Sequence, residues 1–205
     1  KKAWRSMTGG DDGAAPGGEQ AKSVFGLRPA AGEPTLFPMK VGLISDTHNH
    51  LRESRRALDL LVARGARHLV HCGDVGEDVV DLLSAVCREH GIRAHVAVGN
   101  CDRAHLEDAP FLASPAGIER AEAPEFVLAG KRCLALHGDN ETRLETALAA
   151  GTYDYVFTGH SHAPADQRIG NTRRLNPGSP VRPRRGPPTV ALLDLETDLV
   201  DWLPV

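Results

Sequence analysis

Residues 153–162 read YDYVFTGHSH, an apolar run that ends in two histidines. The aromatic and β-branched side chains of residues 153–157 predict a buried strand. Gly159 has no side chain and permits unusual backbone angles, so His160 and His162 can point their imidazoles into one space beyond the strand. Alone, such a pair is more typical of a solvated turn than of a ligand site.

The same arrangement occurs four more times: an apolar strand, then small residues, then Asp, Asn or His. The polar residues are Asp46 and His48 after residues 40–45, Asp74 after 67–71, Asn100 after 92–98 and His137 after 132–136. Helical spacing of apolar residues predicts helices over 51–63 and 77–90, between the first three strands. The first half is therefore predicted to be a β-α-β-α-β unit with parallel strands and right-handed crossovers.

The second half predicts a hairpin, a helix and several short strands. Ala129-Gly130-Lys131 is the expected turn between strands over 125–128 and 132–136. A helix is expected over 141–150, and further strands over 153–158, 167–169, 173–175, 189–194 and 199–203. Residues 1–38 contain glycine pairs and four prolines without apolar periodicity, so we expect a disordered extension before one domain over 39–205.

The composition of the 205 residues is ordinary for a globular protein, with 41% hydrophobic residues and a net charge of −3. This charge gives no overall attraction to nucleic acid or to an anionic membrane, and no apolar run reaches the roughly 18–20 residues of a membrane span. The four cysteines, at positions 72, 87, 101 and 133, form no CxxC pair. We therefore expect free thiols and a reducing, cytoplasmic location.

Seven polar side chains follow the carboxyl ends of predicted strands, where open α/β sheets bind their ligands. Each has an ordinary explanation: Asp46 could cap a helix, Asn100 could hold a turn, and His137 could be a surface histidine. Their recurrence on five loops favours a shared site. Carboxylate, imidazole and amide ligands without a thiolate suit Mn²⁺, Fe or Zn²⁺ more than a structural zinc site. Seven ligands are too many for one ion and suit two ions about 3.5–4 Å apart.

Five motifs come in the order and rough spacing of the calcineurin-like metallophosphoesterases, a family that the chain resembles from residue 39 to 205. The motifs are Asp46-x-His48, Gly73-Asp74, Gly99-Asn100, His137-Gly138 and Gly159-His160-Ser161-His162. Within that family the chain is similar to the small bacterial and archaeal phosphodiesterase branch, which is related to the retromer subunit Vps29. Residues 99–102, GNCD, and 176–179, NPGS, are typical of this branch.

The resemblance implies an α/β fold, a four-layer α/β/β/α sandwich with a two-metal site at one edge. It implies that Asp46, His48 and His162 hold one ion and that Asn100, His137 and His160 hold the other, with Asp74 bridging. Asp74, Asn100 and His137 would act in catalysis through these metals. The ions would polarise a small phosphoester and lower the pKa of a shared water, which attacks phosphorus. Manganese is the expected metal, with Ni, Fe, Zn and Mg as alternatives.

Many relatives in the wider superfamily carry a histidine at the position of Cys101, and this histidine is generally taken to protonate the leaving oxygen. A thiol with a reference pKa of about 8.5 is a poor general acid near neutral pH. We therefore expect no dedicated general acid, with Cys101 as a small filler at the edge of the site.

Several alternatives stay open at this point. The chain could be a phosphomonoesterase, or a Vps29-like scaffold that binds partner proteins without turnover, although a scaffold has no need to keep all seven ligands. A nuclease is disfavoured because the only basic segment runs from Arg173 to Arg185, which is either a solvated loop or a phosphate-binding element. The oligomeric state is not indicated. His71 is expected in the core, whereas five other histidines are expected at the surface: His50, His68, His90, His95 and His105.

Overall fold

The structure, a computed structural model, describes residues 38–103 and 115–205. The described strands are β1 Lys40–Ile44, β2 His68–His71, β3 Arg93–Ala97, β4 Ile118–Ala121, β5 Glu125–Leu128, β6 Lys131–Ala135, β7 Tyr155–Phe157, β8 Ala165–Ile169, β9 Thr172–Asn176, β10 Thr189–Asp194 and β11 Leu199–Pro204. The helices in these residues are α1 Leu51–Ala63, α2 Glu77–His90, α3 Asn100–Arg103 and α4 Glu141–Ala149.

The first sheet has the strand order β11-β10-β1-β2-β3-β4. Strands β1 to β4 run parallel, with Val41 opposite His68 and His68 opposite Arg93. Strand β10 returns antiparallel beside β1, and β11 pairs with β10. The predicted β-α-β-α-β unit is therefore confirmed, and α2 ends where predicted because Gly91 adopts the left-handed backbone conformation that closes a helix.

The second sheet has the order β5-β6-β7-β9-β8. The hairpins β5–β6 and β8–β9 are antiparallel, whereas β6, β7 and β9 run parallel to one another. All parallel strands of this sheet thus end at one edge, where His137 follows β6, and His160 and His162 follow β7.

Three clusters of buried apolar residues give the order of the layers. The first cluster joins α1 and α2 to the first sheet, for example through Leu58, Leu83 and Val96. The second lies between the sheets, where Leu43 and Phe157 belong to the same cluster. The third joins the second sheet to α4. The resulting order is helices, sheet, sheet and helix, the α/β fold that was expected.

The structure differs from the prediction in local features. Residues 100–103 form the short helix α3, and residues 118–121 form β4, which pairs parallel with β3; neither element was predicted. Strand β7 covers only three residues. The expected extension over residues 1–38 lies, except for Pro38, outside the described residues, so that boundary stays a prediction.

The expectation that His68 and His95 lie at the surface is wrong. They are only 6% and 9% exposed, and His68 Nε2 lies 2.7 Å from His95 Nδ1. Side chains point to alternate faces along a strand, so His68 lies on the same face as Val70, and His95 on the same face as Ala97. Val70 and Ala97 belong to the cluster between the sheets, so this face is the one toward the second sheet. There the ring of Phe126 stacks on the ring of His95, with the two ring centroids 3.8 Å apart. Of the other three, His90 is exposed, His50 is half-buried, and His105 lies outside the described residues.

Three of the four cysteines are buried and all four are free, as expected. Across residues 38–103 and 115–205, no helix is long and apolar enough to cross a membrane.

Candidate metal centre

The residues that follow β1, β2, β3, β6 and β7 meet at one edge of the two sheets. Main-chain hydrogen bonds join their loops: Asp46 N–H donates to Gly73 O at 3.0 Å, and His48 N–H donates to Asp74 O at 2.9 Å. Gly159 N–H donates to His137 O at 2.9 Å. The His160 N–H donates to the Asp46 carboxylate at 3.1 Å and joins the loops of the two sheets into one rim.

Left-handed backbone angles concentrate at this rim. Five of the seven predicted ligand residues have positive φ, between 45° and 63°: Asp46, His48, Asp74, His160 and His162. Such angles cost about 1–3 kcal/mol for a non-glycine residue and occur most often at functional sites. The folded chain holds these side chains in place against the local preference of the backbone.

Asp46, His48 and His162 form one group of donor atoms, which lie within 4.8 Å of one another. Asp46 Oδ1 lies 3.3 Å from His162 Nε2, and the Nε2 atoms of His48 and His162 are also 3.3 Å apart. A second group consists of Asp46, Asp74 and His137, with His137 Nε2 3.4 Å from Asp74 Oδ2. The two groups share Asp46.

Asn100 and His160 lie beside these groups. Asn100 is the first residue of α3 and is exposed, and the ring of His160 meets that of His137 edge-on at a centroid distance of 5.1 Å. All seven predicted side chains thus belong to the same rim, with Asn100 and His160 on its outer side.

The hydrogen bonds of two imidazoles fix which nitrogen faces the centre. His137 Nδ1 lies 2.9 Å from Cys72 O, and His162 Nδ1 lies 2.8 Å from Arg182 O. A carbonyl oxygen only accepts, so each Nδ1 carries a proton, and in the neutral ring each Nε2 presents a lone pair. This arrangement is typical of histidines that bind metals.

The charges of the centre act on one another. Burial alone would raise the pKa of Asp74, but His137 and the Cys101 N–H stabilise the carboxylate and lower that pKa well below its usual value. Burial raises the pKa of Asp46. Burial alone would lower the pKa of His137, whereas the Asp74 and Asp46 carboxylates raise it above its ordinary value.

The buried polar atoms without a hydrogen-bond partner among the described residues include two candidate ligand atoms, Asp46 Oδ1 and His137 Nε2. They lie 4.0 Å apart, with His162 Nε2 also near Asp46 Oδ1. A buried polar atom without a partner costs about 1–3 kcal/mol. Carboxylate and imidazole donors that converge without hydrogen bonds fit divalent cations.

Two glycines allow the loops to approach this closely. A Cβ atom on Gly99 would lie 2.1 Å from Asp74 Oδ1, and a Cβ atom on Gly159 would lie 1.9 Å from Ser45 Oγ. Because real Cβ contacts are much longer, any side chain at either position would displace a loop of the centre.

Three supporting residues were not predicted. Asp102 accepts from the N–H groups of Val75 and Gly76 at 2.9 and 3.1 Å and of Gly99 at 2.8 Å. Ser179 Oγ–H donates to Asp46 O at 2.9 Å, and Asn176 Nδ2–H donates to Gly159 O at 2.7 Å. All three belong to the motifs GNCD and NPGS, so their presence in these motifs was the available signal.

The basic segment from Arg173 to Arg185 has two parts. Arg173 is nearly buried and pairs with Asp166 at 2.7 Å and with Asp198 at 2.6 Å, so it links β8, β9 and the turn before β11. Arg182 and the two arginines after Pro183 are exposed, and the main chain of this loop bonds to His162. Burial lowers the pKa of His48, and the charge of Arg182 adds to this effect.

Cys101 is exposed, and its thiol sulfur can share an ion with His48 and Asp74. Burial of the sulfur, together with the Asp74 and Asp102 carboxylates, raises the pKa of this thiol to about 11. The thiol is therefore protonated near neutral pH and gives up its proton reluctantly.

Residues 39–198 match the model of the calcineurin-like phosphoesterase superfamily domain. Phosphodiesterase MJ0936 of Methanocaldococcus jannaschii is 27% identical over 163 residues, which cover 77% of this chain and 94% of that protein. Phosphodiesterase YfcE of Escherichia coli K12 is 30% identical over 172 residues, 76% of this chain and 88% of that protein.

Solved structures share the fold. A novel archaeal phosphodiesterase superposes with a TM-score of 0.68 at 24% identity and covers 82% of this chain and 100% of its own. Zinc-bound Vps29 of Entamoeba histolytica superposes with a TM-score of 0.53 at 18% identity, covering 79% of this chain and 89% of its own.

Proposed function

Because the chain belongs to the calcineurin-like phosphoesterase superfamily, we propose that it is a divalent-metal-dependent phosphodiesterase. The observation that carries the proposal is the pair of buried, unbonded donor atoms at the rim, Asp46 Oδ1 and His137 Nε2. The phosphodiesterase names of two relatives, from Methanocaldococcus jannaschii and Escherichia coli, support the reaction class.

We assign the ligands as the motifs suggest. Asp46, His48 and His162 hold one ion, and their donor atoms already converge. Asn100, His137 and His160 hold the second, with Asp74 between the two sets. Two bound ions supply Lewis-acid polarisation of the phosphoryl oxygens and acidification of a water for attack on phosphorus.

The side chains of the centre are held before substrate arrives. The Asp46 carboxylate accepts from His160 N–H at 3.1 Å, and the Asp74 carboxylate accepts from Cys101 N–H at 2.9 Å. These bonds fix one oxygen of each carboxylate and leave the other facing the centre. Fixed ligands need little reorganisation during the reaction, which favours electrostatic catalysis.

The centre has no dedicated general acid in our assignment. A thiol with a pKa of about 11 transfers its proton poorly near neutral pH, so Cys101 leaves the departing oxygen without a proton donor. Diesters with acidic leaving groups, such as aryl esters, should therefore react faster than alkyl esters.

Further parts of the proposal rest on the chemistry of the chain. The carboxylate, amide and imidazole ligands fit Mn²⁺, Fe or Zn²⁺, and the family resemblance makes manganese our first candidate, with Ni, Fe, Zn and Mg as alternatives. The substrate is a small phosphoester rather than a nucleic acid, because the net charge is −3. The four free thiols support a cytoplasmic location. The catalytic domain comprises residues 39–205.

The test is a phosphoester panel on chelated protein that is reloaded with Mn²⁺, Ni²⁺, Mg²⁺ or Zn²⁺. We expect aryl diesters to be cleaved faster than aryl monoesters, with the highest rate in Mn²⁺. Asp74→Asn should abolish turnover, whereas Arg56→Gln, on the exposed face of α1, serves as the matched surface control. A protein that cleaves only monoesters is a phosphomonoesterase, and one that is inactive with every metal fits the Vps29-like scaffold.

A further inference from the structure

A polar cavity of about 240 Å³ adjoins the candidate metal centre. His137 lines this cavity, while its Nε2 atom faces Asp74 at 3.4 Å. Arg103, the last residue of the helix that begins with Asn100, lines the same space. A group bound in the cavity would therefore be adjacent to a phosphoryl group at the centre.

The hydrogen-bonding groups of the cavity are arranged around Arg103. Its guanidinium donates to the carboxylates of Glu122 and Asp139, and to Val98 O at 3.4 Å. A guanidinium has five N–H groups, and each carboxylate accepts about four hydrogen bonds. After these contacts Arg103 and the two carboxylates keep further donor and acceptor positions, and Arg143 adds more donors.

Charge and size limit what the cavity can hold. Two arginines, Arg103 and Arg143, balance the two carboxylates of the lining, and an anionic group would meet Glu122 and Asp139. The volume is below the roughly 300–1,000 Å³ of sites for drug-sized ligands. No Phe, Tyr or Trp side chain is among the described residues that line it, so a nucleobase would lack the large stacking surface of such a ring.

We propose that this cavity binds one ester substituent of the diester substrate and that this substituent is a small neutral polyol, the size of a glycerol or a pentose. Its hydroxyls donate to Glu122 and Asp139 and accept from the arginines, while its carbon atoms contact Val98 and Leu136. This inference rests on the proposed function, because it locates the substituent relative to a phosphoryl group at the metal centre.

The test compares two ligands that differ only in hydroxyl groups, glycerol 1-phosphate and propyl phosphate. Calorimetric titration of manganese-loaded protein measures the affinity of each. Two additional hydroxyls with well-placed partners should make glycerol 1-phosphate bind about tenfold more tightly, which corresponds to about 1.4 kcal/mol. Arg143→Gln and Asp139→Asn should each reduce this ratio to below about threefold. Arg56→Gln, a surface change on α1, should retain it.

The outcomes separate this inference from the proposed function. Equal affinities for the two ligands, in a protein that hydrolyses bis(p-nitrophenyl) phosphate, would overturn the polyol cavity alone. A tenfold ratio that both cavity variants retain would show that the hydroxyls bind elsewhere, which also refutes the proposal. Absence of hydrolysis together with absence of binding by either phosphate would reject both proposals.

Discussion

The buried histidine pair between the sheets should make the protein lose stability in mild acid. His68 Nε2 lies 2.7 Å from His95 Nδ1, and His95 Nε2 lies 3.3 Å from the exposed Glu119 carboxylate. The most consistent hydrogen-bond pattern has His95 donating to Glu119 and His68 donating to His95. Burial, with help from the neighbouring His95 and Arg93 charges, lowers the pKa of His68 to about 3.

The direction of the stability change follows from proton binding in the folded and unfolded chains. The unfolded chain binds a proton at His68 below pH 6.5 and the folded chain does so only near pH 3, so acid favours unfolding. The contribution is complete above pH 6.5 and is lost progressively as the pH falls toward 3. On acidification from pH 7.5 to 5.0, about 1.5 pH units are below the pKa of His68 in the unfolded chain. At about 1.4 kcal/mol per unit, the protein should lose about 2 kcal/mol of unfolding free energy.

Urea unfolding with EDTA present, followed by circular dichroism at both pH values, measures this loss without a contribution from metals. His68→Gln keeps a donor toward His95 but does not titrate, so it should lose about 2 kcal/mol less than the natural protein on acidification. His90→Gln, at the exposed end of α2, is the matched control and should retain the full loss. If His68→Gln and the natural protein lose the same free energy within about 0.5 kcal/mol, our explanation of the pair is wrong.

Three further predictions concern the metal centre and the domain boundary. Protein reloaded with Mn²⁺ should hold about two ions per chain by elemental analysis. Asp74→Ala should lose both ions and His48→Ala mainly one. A single ion per chain at saturating metal would contradict the bridged site. Cys101→Ala should change aryl diester turnover by less than about tenfold, and Cys101→His should raise turnover of alkyl diesters; lost activity with both ions still bound would make Cys101 catalytic. A chain that begins at Met39 should keep its melting temperature and activity, and a drop of several degrees would move the boundary.

Local patterns were sufficient to predict much of the fold. Helices α1 and α2 have the predicted bounds because their apolar residues repeat with helical spacing and Gly91 stops the second helix. The parallel order of β1, β2 and β3 follows from alternation of strand and helix. Strand β4 was missed because a four-residue strand carries little periodic signal of its own.

The burial of His68 and His95 depends on which face of each strand meets the second sheet. Each lies two positions before an apolar residue of the same strand, Val70 or Ala97, and therefore on the same face. This spacing was a usable signal that both histidines are buried. A histidine at such a position is nevertheless buried only if a partner satisfies its ring nitrogens. Each of these two histidines satisfies the other across neighbouring strands, a pairing that depends on register rather than on residue type.

The seven residues of the candidate centre could be selected from residue type and strand ends. The hydrogen bonds that hold them in place could not be predicted in this way. Ser179 bonds to Asp46 O from the loop that follows β9, 133 positions away in the chain. Five of the seven have left-handed backbone angles that cost about 1–3 kcal/mol each, and main-chain bonds between the loops stabilise them. Because protein groups make these bonds, the loops should keep their positions when the metals are removed. We therefore expect the donor side chains to keep their arrangement before an ion binds, because the loops that carry them are held by the fold.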